Sequence, residues 1–495
     1  MNKYKLELIV FTTGACVMML ELVGSRVLAP YLGTSIVVWT NLIGLILGCL
    51  SIGYWWGGVL SDKEPNWRTF AGIIFLSGVC VGVVGVLKGQ ALDLVVSLTN
   101  DIRLGSFVST IVLFGPPSVL LGMVSPYAVK LKLHTLATSG TTVGQLYAIS
   151  TIGSIAGTFL AGFILIATFG HTKILFLLSL VLFLTSMVAA PKDSTRGKGL
   201  AIMLAVLGGF MAPAIDALAF EKSIATLDTR YQHIRIEETV DYKSGRPIRA
   251  LHTDPFVVQS AIFLDDDPDL VFDYAKFYRL ADHFVPTIKS ALLLGGAAYT
   301  YPRDFLRRHP EARMDVVEID PAMTEVAKMY FGFVPDERIV PYHEDARTFL
   351  NRADNLYDAI FVDAYHNIYS VPYQLTTRET VIQISARLSD QGIVMANIIS
   401  ALEGPKAKFL ESEVSTYRTV FPRVDVYRAS PERPVTALQN VILVAHKSDV
   451  ALAQESDNET FGQYLKQRWP HPFPPAPILT DDFAPVDQYV LGYLK

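Results

Sequence analysis

Residues 290–296 read Ser290-Ala291-Leu292-Leu293-Leu294-Gly295-Gly296, a short apolar run that breaks into paired glycines. Such a run, closed by a glycine turn, predicts a strand buried on both faces, the kind that fills parallel sheets. Three similar runs follow: Met314 to Asp320, Ile339 to Asp345 and Tyr357 to Asp363. Helices are expected between them, near 301–309, 321–331 and 346–353, and further strands at 392–398 and 441–446. Apolar strands alternating with helices predict a doubly wound, Rossmann-like α/β sheet of the methyltransferase type, with ligands at the carboxyl ends of its strands.

Upstream, Tyr231-Gln232-His233-Ile234-Arg235-Ile236 and Arg249-Ala250-Leu251-His252 alternate in the manner of strands, with Lys243-Ser244-Gly245-Arg246-Pro247 as the turn between them. A helix is expected over Pro268–His283. Before Glu221 the texture is different. The 495 residues are 51% hydrophobic and 18% charged, against about 25% charged in ordinary soluble domains. Residues 1–220 hold 13 Lys and Arg against 8 Asp and Glu, whereas the rest holds 29 against 39. That split excludes a single soluble domain, a disordered chain and a nucleic-acid-binding module, which needs a basic face. The expected domains are therefore an α-helical transmembrane bundle (1–220), a small β-rich subdomain (221–286) and the Rossmann-like domain with its tail (287–495).

Seven stretches reach the roughly 20 apolar residues that a bilayer requires: 7–30, 36–60, 70–88, 105–128, 147–168, 173–191 and 199–219. Gly44, Gly48, Gly53, Gly57 and Gly58 in the second, and Gly153, Gly157 and Gly162 in the fifth, suit close helix packing in lipid. Pro116, Pro117 and Pro126 fall in the fourth. Glu21, Arg26 and Asp216 lie within spans, where ionisable groups either satisfy neighbouring helices or line a polar path. Cys16, Cys49 and Cys80 all sit in apolar runs and read as small packing residues. The first run carries Glu21 and Arg26, which is not the pattern of a cleavable signal peptide.

Loops on the side of the N-terminus carry Lys3, Lys5, Lys63, Arg68, Lys130, Lys132, Lys192, Arg196 and Lys198; the other side has Lys88, Arg103 and Lys173. The positive-inside rule thus puts the N-terminus in the cytoplasm, and seven spans would put the C-terminal domain outside. A nucleoside ligand argues for the opposite side. The expectation drawn from it is a multi-pass inner-membrane protein in the lipid bilayer, its C-terminal domain facing the cytoplasm, with the weakly apolar stretch 89–101 as an extra or re-entrant segment.

Four strand ends bear on that ligand. Gly295-Gly296 lets backbone approach it closely, and Glu318, about 20 residues on, stands where an acid binds both ribose hydroxyls. Asp345 can accept from an adenine amino group, and Asp363 lies at the mouth of the same crevice. Tyr299, Tyr301, Tyr365, Tyr369 and Tyr373 crowd these loops, either to box a sulfonium by cation–π contact or to pack as lids.

Thr229-Arg230-Tyr231-Gln232, Asp254 through Gln259, Tyr274, Leu294-Gly295-Gly296, Val317-Glu318-Ile319-Asp320, Glu344-Asp345-Ala346-Arg347, Val362-Asp363 and the tail Leu479–Val486 carry a resemblance. Over roughly 223–400 the chain resembles the spermidine synthase family (polyamine aminopropyltransferases), and more closely its branch with an N-terminal membrane domain. The resemblance implies that Gln232 and Glu318 hold the nucleoside of S-adenosylmethionine or its decarboxylated form, that Asp345 and Ala346 flank adenine, and that Asp363 acts at the reacting centre; Gln259, Gly295, Gly296 and Ile319 are expected beside the nucleoside, and Tyr274, Tyr365 and His366 are expected to shape the substrate chain at Asp363. It also implies a homodimer and no metal.

Three departures shift the expected substrate. The family motif Gly-Gly-Gly-Asp-Gly-Gly reads here Gly295-Gly296-Ala297-Ala298-Tyr299-Thr300; Asp-Ser-Ser-Asp reads Asp363-Ala364-Tyr365-His366; and the acid two residues after Tyr274 is Lys276. A polycation site short of three carboxylates favours a substrate that keeps its own carboxylate. The first expectation is therefore cleavage of the C–S bond of S-adenosylmethionine by alkyl transfer or internal cyclisation, releasing 5′-methylthioadenosine. The alternatives are aminopropyl transfer from decarboxylated S-adenosylmethionine to putrescine, and a methyltransferase, sensor or transporter.

Overall fold

The computed structural model describes residues 4–491 apart from 34, 64, 100, 134–138, 192–197, 220–222, 254–257, 266, 365–370 and 450–452. The chain divides into two compact units, Met1–Ile234 and Arg235–Lys495.

The first unit is helical: α1 (Lys5–Leu32), α2 (Ile36–Lys63), α3 (Trp67–Leu98), α4 (Ile102–Lys132), α5 (Ser139–Leu160), a π turn (Ala161–Leu165) leading to the single turn α6 (Ile166–Thr168), α7 (His171–Ala189) and α8 (Lys198–Ala219), then strand β1 (Ser223–Asp228). Six of these segments are long and apolar enough to cross a membrane: α1 to α4, Ser139–Leu165 and α7. The seventh expected span is the 22-residue α8, whose described apolar stretch is Ala201–Ala212 and falls short of that criterion. The expected extra segment at 89–101 is not separate. Helix α3 runs on for 32 residues to Leu98, and Asp101 opens α4 by accepting from the Arg103 amide at 2.8 Å.

Helix pairs meet through glycine, but only on one face. A Cβ on Gly153 or Gly157 of α5 would lie 2.1 and 2.4 Å from the Phe11 and Ala15 carbonyls of α1. On α2, Gly53 and Gly57 press in the same way on Val119 and Met123 of α4, whereas Gly44, Gly48, Gly58 and Gly162 have nothing within 4 Å. Arg26 donates at 2.7 Å to the Tyr231 carbonyl and also to that of Arg230, so it clamps backbone. The side chain of Asp216 lies outside the described residues.

In the second unit, β2 (His233–Val240, begun at the end of the first), β3 (Pro247–His252) and β4 (Val258–Phe263) form an antiparallel meander. The expected helix over 268–283 is broken and later: α9 (Asp273–Phe277), a 3-10 turn (Tyr278–Leu280) and α10 (Ala281–Phe284). The Rossmann-like sheet follows as β5 (Ser290–Leu294), α11 (Thr300–Arg308), β6 (Arg313–Val317), α12 (Pro321–Tyr330), β7 (Ile339–Tyr342), α13 (Ala346–Arg352), β8 (Tyr357–Val362), α14 (Arg378–Ala386), β9 (Leu388–Ser400), α15 (Lys408–Arg418), β10 (Arg423–Arg428), β11 (Gln439–His446), α16 (Glu459–Leu465) and α17 (Val486–Leu491). Its order is β10-β11-β9-β8-β5-β6-β7. Strands β5 to β9 pair in parallel, and β11 runs against both β9 and β10, so the sheet is mixed. The chain builds outward from β5 through β6 to β7, then returns to the other side of β5 with β8. That reversal is the switch point at which such sheets bind ligands.

Replacing Gly153 with Leu is expected to part α5 from α1 and lower the melting temperature of the detergent-solubilised protein by several degrees. Gly44→Leu, with open space at its Cβ, is expected to leave it unchanged. Equal shifts in a thermal melt would contradict this packing.

Candidate active site at the switch point

The reversal brings the ends of β5 and β8 together as backbone. The Asp363 amide donates to the Leu294 carbonyl at 2.8 Å, and the Gly295 amide to the Val317 carbonyl at 2.8 Å. Gly295 has φ +101°, and a Cβ there would lie 2.3 Å from the Asp363 carbonyl oxygen, so no side chain fits. The turn continues with Ala297 at φ +42° and Tyr299 at φ +57°, although both carry a Cβ. Left-handed backbone at a non-glycine costs about 1–2 kcal/mol and persists only where the surroundings hold it. Two things hold it here. One Glu318 carboxylate oxygen accepts from the amides of Gly296 and Ala297, each at 3.0 Å, and the other from Asp320 at 3.0 Å. The buried Tyr299 ring stacks on Phe333 at 4.5 Å, and its hydroxyl meets Thr324 at 2.8 Å. Burial raises the pKa of Glu318, against the pull of those three amides.

Asp363 is half-buried. Desolvation pushes it up to about 6, while hydrogen bonds from Asn397, Tyr274 and Tyr278 pull the other way. Asn397 on β9 donates to Asp363 Oδ1 at 2.9 Å, and Asn440 on β11 donates to Asn397 Oδ1 at 3.0 Å. Each amide is thus oriented by the next, ending on the carboxylate. Burial, followed by the charge of Asp363, holds the Tyr274 phenol well above its ordinary range, so it stays a donor.

A cavity of ≈ 620 Å³ opens over this cluster, lined by Tyr274, Gln259, Gly295, Gly296, Asp363 and Asn397 among others. It is also lined by Glu237, Asp241 and Asp273, with Lys243 and Arg433. Glu237 lies on β2, Asp241 in the β2–β3 turn and Asp273 at the start of α9. Lys243 is taken up by Asp273 and, at 3.3 Å, by Glu432, and Glu237 meets His252 at 2.9 Å.

Of the expected ligand residues, Glu318 braces the glycine turn from behind. Ile319 is partly exposed at the next position, Asp345 caps α13 through the Thr348 amide at 3.0 Å, and Ala346 is buried. Gln232 is buried in the first unit, where its carbonyl accepts from Thr229 at 2.9 Å. Tyr365, His366 and Tyr369 lie outside the described residues. Tyr301 lines the cavity while packing on Phe361 at 4.8 Å, and Tyr373 is half exposed. Asn397, Asn440, Tyr278 and the three wall acids were not found from sequence. A period-two strand pattern marks Asn397 and Asn440 as polar breaks in apolar runs, and that was the available signal.

Two of the departures read differently in three dimensions. Lys276 turns to Asp269 at 2.9 Å and lines no part of the cavity. Ala298 is fully buried, and Ala297 and Thr300 line the cavity instead. Glu237, Asp241 and Asp273, from elements that a motif comparison does not read, line the cavity with Asp363, and Lys243 and Arg433 line it too.

The spermine/spermidine synthase domain matches residues 278–446. The polyamine aminopropyltransferase of Vibrio vulnificus is 28% identical over 247 residues, 46% of this chain and 80% of that protein. Polyamine aminopropyltransferase 1 of Streptomyces coelicolor is 24% identical over 464 residues, covering 86% of this chain and 82% of that one, so its match extends into the helical unit. Among solved structures, a probable spermidine synthase from Corynebacterium glutamicum aligns with TM-score 0.41 at 22% identity, over 49% of this chain and 85% of that chain.

Two outcomes are expected from this geometry. Because the native pKa of Asp363 lies near 6 against an ordinary 3.8, its ionisation costs more in the folded state than in the unfolded one. That penalty is absent below about pH 4, grows as pH rises and is complete above pH 6–7. Asp363→Asn should therefore melt higher than the parent at pH 8 and no higher at pH 4. Separately, Ala297→Gly should relieve left-handed strain and stabilise the protein by roughly 0.5 kcal/mol, read in the same melts.

Proposed function

We propose that this chain, which resembles the spermidine synthase family, is an aminopropyltransferase. It would take decarboxylated S-adenosylmethionine and a small polyamine such as putrescine, releasing 5′-methylthioadenosine. The observation that carries the reading is the placement of Asp363, a carboxylate raised toward neutrality, in a cavity that Glu237, Asp241 and Asp273 also line. A polyamine needs carboxylates along its length; Glu237, Asp241 and Asp273 line the cavity, and the acceptor's ammonium groups would displace His252 and Lys243 from two of them. The domain match and the relatives named aminopropyltransferase support this over the cleavage or cyclisation of S-adenosylmethionine expected first.

In this reading Gly295 and Gly296 let the donor lie against backbone, with Gln259 and Glu318 on its nucleoside, Ile319 beside it, and Asp345 and Ala346 at adenine. Gln232 completes that set by resemblance. The acceptor nitrogen attacks the carbon next to the sulfonium. A C–N bond forms, the C–S bond breaks, and a neutral thioether leaves without needing an acid. The proton lost by the amine passes to Asp363, which is ionised above about pH 6 and therefore available as base. Tyr274 and Asn397 fix the carboxylate's direction. The helical unit (1–220) is read as an integral membrane domain, with 221–286 a β-rich subdomain and 287–495 the catalytic domain.

The test is mass spectrometry of the purified protein in detergent. Decarboxylated S-adenosylmethionine with putrescine should give 5′-methylthioadenosine and spermidine. Asp363→Asn should lower kcat/KM by at least about a hundredfold, and the parent's kcat/KM should fall below pH 6. Methylthioadenosine from S-adenosylmethionine alone, with no polyamine product, would overturn the reading in favour of cyclisation.

A further inference from the structure

Contacts inside the first unit decide from which end of the helical bundle the chain departs. At one end Lys132 of α4 pairs with Glu7 of α1 at 2.7 Å, Lys130 with Asp62 of α2 at 2.7 Å, and Lys5 donates to the Ala189 carbonyl at the close of α7 at 3.3 Å. At the opposite end Asn41 of α2 donates to the Arg103 carbonyl at 3.0 Å, and Arg26, late in α1, donates to Tyr231 at 2.7 Å. There too His171, which opens α7, meets Asp228 at 3.0 Å, and His233 meets the same carboxylate at 2.7 Å. Residues 228–233 therefore sit at the end opposite Lys5 and Ala189.

Helix α8 must cross between these ends. It follows α7 in sequence on the Ala189 side and is succeeded by β1 and Asp228 on the His171 side. Its middle lies on α7, since a Cβ at Gly208 would fall 2.3 Å from the Phe176 ring. Twenty-two residues of helix span about 33 Å, enough for a hydrocarbon core of about 30 Å. Composition counts six crossings because the described part of this helix reaches only over Ala201–Ala212. The contacts make seven.

An odd number of crossings sets the compartment once the charges are placed. Lys5, Lys63, Arg68, Lys130 and Lys132 flank helices on the Lys5 side. At the other end stand Arg103 and Lys173, with Arg26 spent on backbone carbonyls and Lys88 buried within α3. Short basic loops stay in the cytoplasm. Among the described residues beyond α8, no helix is long and apolar enough to cross back. We propose that the C-terminal unit, from Arg235 onward, lies on the non-cytoplasmic face of the membrane. This replaces the expectation of a cytoplasmic domain, which rested on the ligand alone. It depends on the bundle being membrane-integral and not on the chemistry at Asp363. In a reaction sequence it requires a transport step that delivers the sulfonium nucleoside to that face, and it makes the amine pool there the source of acceptor.

The test uses the full chain in intact cells with a membrane-impermeant maleimide, after the outer envelope has been made permeable. Val334→Cys places a thiol on an exposed site of the C-terminal unit, and Lys63→Cys one at the basic end of α2; the parent, whose cysteines all lie in α1 to α3, is the blank. Val334→Cys should label in intact cells at ten times the parent's level or more, and Lys63→Cys only after lysis. The reverse pattern overturns the proposal. Because either variant could misfold, the unsubstituted chain is also fused at its C-terminus to alkaline phosphatase, active only outside, and to a fluorescent protein, bright only inside. Phosphatase activity without fluorescence supports the proposal, and fluorescence without activity overturns it. Recovery of the parent in the soluble fraction overturns the membrane reading itself, an outcome distinct from inverted sidedness.

Discussion

The close approach of two strand ends is the constraint on which the C-terminal unit depends. Gly295 can lie against the Asp363 carbonyl only because it lacks a Cβ, and the contact exists only because β8 returns to the far side of β5. Through it the glycine turn and the Asp363 carboxylate share one rigid piece of backbone. Glu318 then ties the turn to the end of β6 by accepting two of its amides. A carboxylate placed so has lone pairs left for a ligand's hydroxyls. The acid that would touch the nucleoside is thus also the one that shapes the loop beneath it.

That bracing explains how the turn survives without the glycines of the family pattern. Ala297 and Tyr299 keep left-handed backbone at a cost of a kcal/mol or so each. Burial of the Tyr299 ring against Phe333, with its hydroxyl on Thr324, returns more than that, since burying a large aromatic side chain is worth several times the strain. Backbone path and residue identity have separated here. A motif comparison registers lost glycines, while the conformation they would have served persists.

The parallel strands and the order of the site were legible because burial on both faces leaves an apolar run with few rivals, and because acids at successive strand ends fall in register. Helix boundaries near 273 were not, since Pro268 to Phe272 is polar and apolar in turn but belongs to a loop that packs. The lining of the cavity was read only in part for a different reason. Sequence showed which acids had left the loops at 298 and 366, and could not show that the β2–β3 turn and the start of α9 bring Asp241 and Asp273 to the same cavity. Charge at a site is a sum over everything that faces it, and a motif samples one strand end. Asn397 and Asn440 were missed likewise, because their function lies in a cross-strand relay that exists only once β9 and β11 are paired.

The same distinction governs the helical unit. With seven apolar stretches, loop charges and a ligand gave opposite answers about sidedness. Three kinds of contact fix the path of α8 without depending on composition: an ammonium on the Ala189 carbonyl, a guanidinium on the Tyr231 carbonyl, and a carboxylate shared by His171 and His233. Asp228 is held well below the usual carboxylate range. Burial alone would raise it, and the two imidazoles outweigh that. A carboxylate so held stays ionised through the neutral range, so the tie between the opening of α7 and the strand that follows α8 is electrostatic as well as steric. Arg26, costly in an apolar helix unless paired, finds its partners only if α8 has crossed the bundle. The charge buried in the first helix is thus satisfied by the path of the last one.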